Sequence, residues 1–363
     1  MSEALRQTGF ENITGWAEDD HAAALAAFKR SAQEIITQGH GFQREAAFGG
    51  ARHDWLPICE TAVTATDARA FFENHCTPFR VGDGNNSQSL FTGYYEPEAE
   101  GRLAPDKRFC VPIYRKPDDL LAFTPKQTRA TGLSYGRRRS GKPSAYPTRK
   151  EIEDGALLGR GLEICYIESW VDAFFMHVQG SGRVILPGGK VLRLSYAAKN
   201  GQPYTGIGSV LLARGIGTKE TMSMQFLRNW MADNQQEART LLRQNKSFVF
   251  FREVPVDDPA LGAIGAAKVN LTPLRSLAVD RTHWMFGTPL FIKTHEPPEA
   301  GRGAVPFQHL MIAQDTGTAI KGLIRGDVYW GWGERAALNA GHMKSKGDMV
   351  ALLPHAVAAR LMP

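Results

Sequence analysis

From Asn245 onward the chain is written in short apolar runs, each closed off by glycine or proline: FVFFREV, TPLRSLAVDR, TPLFIKTH, HLMIAQDTG and IRGDVYWGWG. Short strands bounded by glycine and proline suggest a β-barrel more than a parallel α/β sheet. The same texture appears earlier, in SLFTGYYEPEAEGRL from Ser89 and in RFCVPIYRKP. Glycine, 37 of 363 residues, is about 10% against a typical ~7%.

Helical spacing interrupts this texture. Leu25, Phe28, Ala32, Ile35 and Ile36 predict a helix over about residues 18–37, and a second is expected after Thr66–Asp67 with Thr66 as N-cap. TKETMSMQFLRNWMADNQQEARTLLRQN reads as helical, with Met224, Leu227, Trp230 and Met231 on one face. From Lys116 to Lys150 the chain is rich in Pro, Lys and Arg, too polar for a core. The segment CYIESWVDAFFMHVQGSGRVILPGGK is expected to be β. There Phe174, Met176 and Val178 alternate with Phe175, His177 and Gln179, and Gly-Ser-Gly and Pro-Gly-Gly mark turns.

Three aspartates, Asp280, Asp315 and Asp327, lie at or within the C-terminal runs, where a solvated charge is out of place. A partly buried carboxyl keeps its proton to higher pH, the state a general acid needs near neutrality. The alternative is that Asp and Gly here only mark turns. Asp315-Thr-Gly-Thr matches an aspartic-protease signature, but a pepsin-like chain of this length carries two copies and this one has a single D-T-G and no D-S-G. Gly180-Ser181-Gly182 lets a ligand approach the backbone, yet it is no nucleophile elbow, since Gln179 stands two before the serine. GIGSVLLARGIG lacks the strand-turn-helix context of a dinucleotide fingerprint. A lone His177 on a strand face is more often structural than catalytic. FTGYYEP fits either a sugar-stacking face or an edge strand with cross-strand aromatic pairs.

Cys59, Cys76, Cys110 and Cys165 are too few and scattered for a disulfide framework, and with no C-x-x-C or H-E-x-x-H spacing a zinc site is not expected. No apolar run reaches the ~18 residues of a membrane helix. The start, MSEALRQTGFENITGW, has no basic and apolar leader, so a cytosolic protein or a trimmed targeting segment is expected. The net charge of +6 leaves nucleic acid, anionic membrane and acidic substrates open. The excess sits between Cys110 and Phe251, where 21 lysines and arginines face 11 acids.

Taken together, FTGYYEP, PIYRKP, VDAFFMHVQGSGRV, LSYAAKNGQPYTGIG, SMQ, RSLAVDR, AQDTGTAIKG and RGDVYWGWG, in this order from about residue 90 to 345, resemble the membrane-bound lytic murein transglycosylase A (MltA) family. Asp280, Asp315 and Asp327 resemble its C-terminal 3D domain, named for three aspartates. Residues before about 85 match no motif. The resemblance implies a mainly β fold with flanking helices. Residues 1–110 and 252–363 would form a double-psi β-barrel, and an inserted smaller β domain, 111–251, would leave a glycan groove at the junction. It further implies cleavage of the β-1,4 bond between N-acetylmuramic acid and N-acetylglucosamine without water. Asp327 would protonate the glycosidic oxygen and then take the proton of the C6 hydroxyl that attacks C1, giving a 1,6-anhydro product. Asp315 would act beside it. Thr92, Tyr94, Tyr95, Glu96, Gln179, Ser181 and Asp280 would contact substrate.

The resemblance implies no cofactor or metal, a peptidoglycan strand rather than nucleic acid as partner, and a monomer. It also implies a periplasmic location with outer-membrane anchoring in the full-length protein, although no lipobox is present and the first cysteine is Cys59. The basic excess between Cys110 and Phe251 would either face murein carboxylates or anionic lipid, or be an ordinary solvated face. The rival readings are a hydrolytic glycosidase using Asp315, Asp327 and water, and a non-catalytic wall-binding module.

Overall fold

Asp20 and Asp67 set where the first helices begin. The Asp20 carboxylate accepts from Ala23 N–H at 3.0 Å and opens the helix His21–Thr37; Asp67 accepts from Ala70 N–H at 3.0 Å and opens Ala68–His75. The second cap is therefore Asp67 rather than Thr66, because it is the Asp67 side chain that satisfies a free amide of the first turn. A helix between them, Arg52–Thr64, buries Trp55, Ile58 and Cys59. The structure, a computed structural model, describes residues 4–82, 89–219, 221–256, 258–297, 304–317 and 319–361. Thr318 of the Asp-Thr-Gly-Thr stretch lies outside them.

The chain divides into two compact units, Met1–Tyr95 with Pro259–Pro363, and Glu96–Asp258. In chain order the first unit contributes β1 (Leu5–Gln7), β2 (Cys76–Val81) and β3 (Leu90–Glu96). The second supplies β4 (Glu98–Arg102), β5 (Val111–Tyr114), β6 (Leu121–Ala122), β7 (Tyr135–Arg139) and β8 (Lys142–Ser144). It continues with β9 (Glu163–Ile167), β10 (Ser181–Ile185), β11 (Val191–Lys199) and β12 (Val249–Val254). The first unit resumes with β13 (Ser276–Val279), β14 (Pro289–His295), β15 (Pro306–Asp315), β16 (Arg325–Trp332), β17 (Lys344–Ser345) and β18 (Asp348–Pro354). The second unit is wider than the expected 111–251 because β4 pairs with β10 and β9.

In the first unit one sheet runs β1-β2-β18-β14-β15-β13-β16-β3-β17, and among the described residues no strand pairing closes it into a ring. The pairing of β13 with β15 is parallel, while those of β13 with β16 and of β14 with β15 are antiparallel. Its core gathers Phe28, Trp55, Phe72, Trp284, Phe291 and Ile312. The second unit has a six-stranded sheet, β12-β11-β10-β4-β9-β5, and a three-stranded one, β6-β7-β8.

Two expectations for the second unit are corrected. Trp170–Gln179 is a helix and not a strand: Ser169 caps it, accepting from Val171 and Asp172 N–H, and Gly180 ends it at φ 74°. Phe174, Phe175, Met176 and His177 are all buried, so apolar residues line consecutive positions and mask the helical period. The polar segment ending at Lys150 nonetheless reaches the interior, since Tyr146 and Arg149 are each 1% exposed. The 224–244 stretch is helical as expected but breaks at Asn234 into Met224–Asp233 and Gln235–Leu242. All four cysteines are thiols.

Candidate active site

Strand β13 is buried at all four positions and lies between β15 and β16. Its Ala278 stands opposite Asp315 on one side and opposite Asp327 on the other. Residues directly opposite share a face, and strands lie ~4.8 Å apart, so the two aspartates project from one face with backbones about 10 Å apart. On β13 itself the side chain between them is the methyl group of Ala278.

A β-bulge puts Asp315 there. Leu277 opposes Ala313 but Ala278 opposes Asp315, so Gln314 is the extra residue. Gln314 is fully buried and its amide is satisfied in place. Nε2 donates to Ala27 O at 2.9 Å and Ser31 Oγ at 2.8 Å on the first helix, and Oε1 accepts from Ser276 Oγ. Without the bulge, Gln314 would face Ala278 and Asp315 would turn to the other side.

Asp327 Oδ1 accepts a hydrogen bond from the Thr92 hydroxyl of β3. The Thr92 oxygen in turn accepts from Arg325 Nη2 at 2.8 Å, and Arg325 is only 8% exposed. Burial pushes the Asp327 carboxyl above the usual carboxylate range; the Thr92 bond and the Arg325 charge pull it down, and the Asp315 charge pushes it up again. Asp315 is likewise raised, by burial, against two backbone donors to Oδ1, Ala266 N–H at 3.0 Å and Thr316 N–H at 2.9 Å. Backbone donors favour the charged form, whereas Asp327 has one hydroxyl donor and a like charge nearby. Both carboxyls are therefore held above the usual range, and either can keep a proton to higher pH than a solvated carboxyl.

Tyr94 completes this face from β3. Burial, then the charges of Asp315 and Asp327, raise its hydroxyl well above the usual tyrosine value, so it is a neutral phenol. That buried hydroxyl lies within hydrogen-bonding reach of Asp315, an interaction that raises the phenol and lowers the carboxyl. The Tyr94 ring lies 5.2 Å from that of Tyr329, whose hydroxyl fits against Gly262, where any Cβ would collide.

The structure brings Asp315, Asp327, Thr92 and Tyr94 together. Asp280 is held elsewhere: it is 3% exposed and accepts from Thr282 N–H at 3.0 Å, Thr282 Oγ1 at 2.8 Å and Gly322 N–H at 2.9 Å. Burial opposes ionisation, but these donors and Lys321 at 3.6 Å bring the carboxyl to about 2. Tyr95 is 3% exposed and Glu96 0%, the latter 3.6 Å from Arg193, so neither offers surface to a ligand. Gln179 ends the helix Trp170–Gln179 and Ser181 opens β10; both are half-buried in the second unit. His177 is buried against Phe248 and Phe251 with Arg149 Nη1 at 3.0 Å, and burial first, then Arg149, keeps it neutral. Sequence reasoning missed Ala278, Gln314, Arg325 and Tyr329. The glutamine next to Asp315 was the one local signal, a polar residue inside an apolar run.

The sequence matches the MltA specific insert domain over residues 90–252 and the 3D domain over 275–353. The membrane-bound lytic murein transglycosylase A of Vibrio cholerae is 36% identical over 272 residues, which span 74% of this chain and 66% of that protein. A crystal structure of membrane-bound lytic murein transglycosylase from Agrobacterium tumefaciens is similar at a TM-score of 0.84 and 36% identity, over 98% of this chain and 99% of that one. Escherichia coli MltA with bound chitohexaose is similar at a TM-score of 0.67 and 29% identity, over 91% of this chain and 90% of that one. With both domains matched in order and the full length shared with a solved relative, this chain belongs to the membrane-bound lytic murein transglycosylase A family.

Proposed function

We propose that this protein is a peptidoglycan lytic transglycosylase in which Asp327 serves first as acid and then as base. The observation that carries the reading is the pair of carboxyls flanking Ala278 on one face, with Asp327 raised by burial and by its neighbour. Protonated Asp327 gives its proton to the oxygen bridging C1 of N-acetylmuramic acid and C4 of N-acetylglucosamine, and the C1–O bond breaks. The resulting carboxylate removes the proton of the C6 hydroxyl as that oxygen bonds to C1, closing a 1,6-anhydro ring. Asp327 ends protonated as it began, and no water enters. The internal hydroxyl takes the place of the water or second carboxylate of ordinary glycosidases, with the advantage of an intramolecular attack. In this reading Asp315, whose backbone donors favour its charged form, is the group that faces the oxocarbenium-like charge. Thr92 and Tyr94 position Asp327 and the sugar. The solved relative holding chitohexaose supports an amino-sugar chain as ligand.

The parallel β13–β15 pair within an otherwise largely antiparallel sheet supports the double-psi barrel reading of the first unit. We place the protein in the periplasm on the substrate's location; no helix among the described residues is long and apolar enough to cross a membrane. Mass spectrometry of murein digested by the protein tests the chemistry. Anhydro products, lighter by one water than reducing-end products, are expected; reducing ends would mean hydrolysis, and binding without products a wall-binding module. In Asp327→Asn, turnover falls on the order of 10³-fold while glycan binding persists; near-normal cleavage would remove Asp327 from this role.

A further inference from the structure

The six charges by which this chain departs from neutrality lie in one place. Residues 121–144 hold Lys126, Arg129, Arg137, Arg138, Arg139 and Lys142 and no acid, while the other 339 residues carry 37 lysines and arginines against 37 acids. The segment is also a structural piece: β6, β7 and β8 form the three-stranded sheet. The helix Pro125–Thr131, capped by Thr124 and by Gly132 at φ 70°, joins β6 to β7.

Five of the six cations are exposed; Arg137 is half-buried, 5.8 Å from the Tyr146 ring. Several cations near the segment have acidic partners, Arg108 with Glu168 at 2.7 Å, Lys150 with Asp154 at 2.6 Å, and Arg160 with Asp119 at 2.7 Å. Among the described residues no ion pair is formed by any of the six. Glu151 feels the Arg137 charge, but its carboxylate accepts from Thr148 N–H and Oγ1 at 2.7 and 2.8 Å. The pairing adds repulsion. Arg139 stands directly opposite Lys142 across the Ser140–Gly141 turn, whose φ values are 50° and 75°. A two-residue turn with both residues left-handed sets that register, and like charges directly opposite weaken a ladder. An ordinary solvated face intersperses both signs.

We propose that this basic three-stranded sheet is a second, non-catalytic contact surface that binds the carboxylates of murein peptide stems and tethers the enzyme to the wall. The proposal rests on the peptidoglycan reading above. What the surface lacks selects the partner. The helix Pro125–Thr131 buries no residue, and the hairpin tip Arg-Ser-Gly-Lys has no aromatic or apolar side chain to sit among acyl chains. A polymer bearing carboxylates on every stem offers repeated exposed ion pairs, each weak and together substantial.

The test uses the full chain and the triple variant Arg138→Gln, Arg139→Gln, Lys142→Gln. Both are pelleted with insoluble murein across a salt series, and turnover of a soluble peptide-free glycan is followed alongside. The variant is expected to bind about tenfold more weakly at low salt, with a flatter salt dependence, and to keep its turnover of the peptide-free glycan. Amidating the stem carboxylates should lower wild-type binding to the level of the variant. Equal binding of both proteins to untreated murein overturns the proposal, as does wild-type binding that survives amidation. A defect seen with phosphatidylglycerol vesicles but not with murein also overturns it, in favour of lipid. If neither protein cleaves any glycan, the transglycosylase reading fails while pelleting still reports on the surface.

Discussion

Arg325 carries no hydrogen-bond acceptor, so a Thr92 oxygen that receives its Nη2 is left with one hydrogen to direct, and that hydrogen goes to Asp327 Oδ1. With Oδ1 committed as acceptor, the transferable proton of Asp327 belongs on Oδ2. Charge then tunes how tightly it is held, and two substitutions should move it in opposite directions. Arg325→Gln removes a cation that lowers the Asp327 pKa, so the alkaline limb of kcat/KM, where the acid is lost, should move up by about one pH unit. Asp315→Asn removes an anion that raises it, and the same limb should move down. Parallel shifts, or none, in pH profiles of the two variants would contradict the arrangement. Asp315 and Asp327 stand out in the sequence as charges set in apolar runs. Arg325 does not, because its role depends on a contact to a residue 233 positions away.

At the scale of elements, a single extra residue in β15 decides the site. Gln314→Ala should leave Ser276, Ser31 and the Ala27 carbonyl without their buried partner and destabilise the first unit by about 2 kcal/mol in chemical denaturation. It should also reduce turnover more than glycan binding, since the bulge aims Asp315. Close packing constrains β3 in the same way. A Cβ on Gly93 would lie 2.7 Å from the Ala340 Cα in the helix Gly333–His342, so Gly93→Ala must push β3, and Thr92 and Tyr94 with it, off that helix. Circular dichroism should show a fold retained at lower Tm while activity is lost. Strand positions in the C-terminal third were legible, because short apolar runs between glycines have few other uses. The helix Trp170–Gln179 was not, since a run buried almost all round carries no period and only Ser169 and Gly180 mark its ends.

For the molecule as a whole, two structural carboxylates set the acid limit. Asp280 sits at about 2, and Asp19, against burial, is lowered by His309, Arg275 and the Leu310 amide. Folded values below the unfolded ~3.9 mean that the stabilisation is fully present above about pH 4 and is lost as pH falls towards 2. Asp280→Asn should therefore be less stable than wild type at pH 7 and converge with it near pH 2 in thermal melts. The chain leaves the first unit at Tyr95 and returns at Pro259, so each unit is assembled from its own buried clusters.

Alternation, glycine spacing and misplaced charges are local properties, and from them the sequence alone determined the strand-rich C-terminal texture, the two central aspartates and the family. Its charge arithmetic also located a basic excess, which the fold narrows to one three-stranded sheet. Tertiary structure decided which aspartate stays out of the pair, which residue the bulge ejects, and what holds the Thr92 hydroxyl. Those outcomes turn on strand register and on hydrogen bonds between residues hundreds of positions apart. Such contacts exist only once the sheet has formed, and no local pattern encodes them.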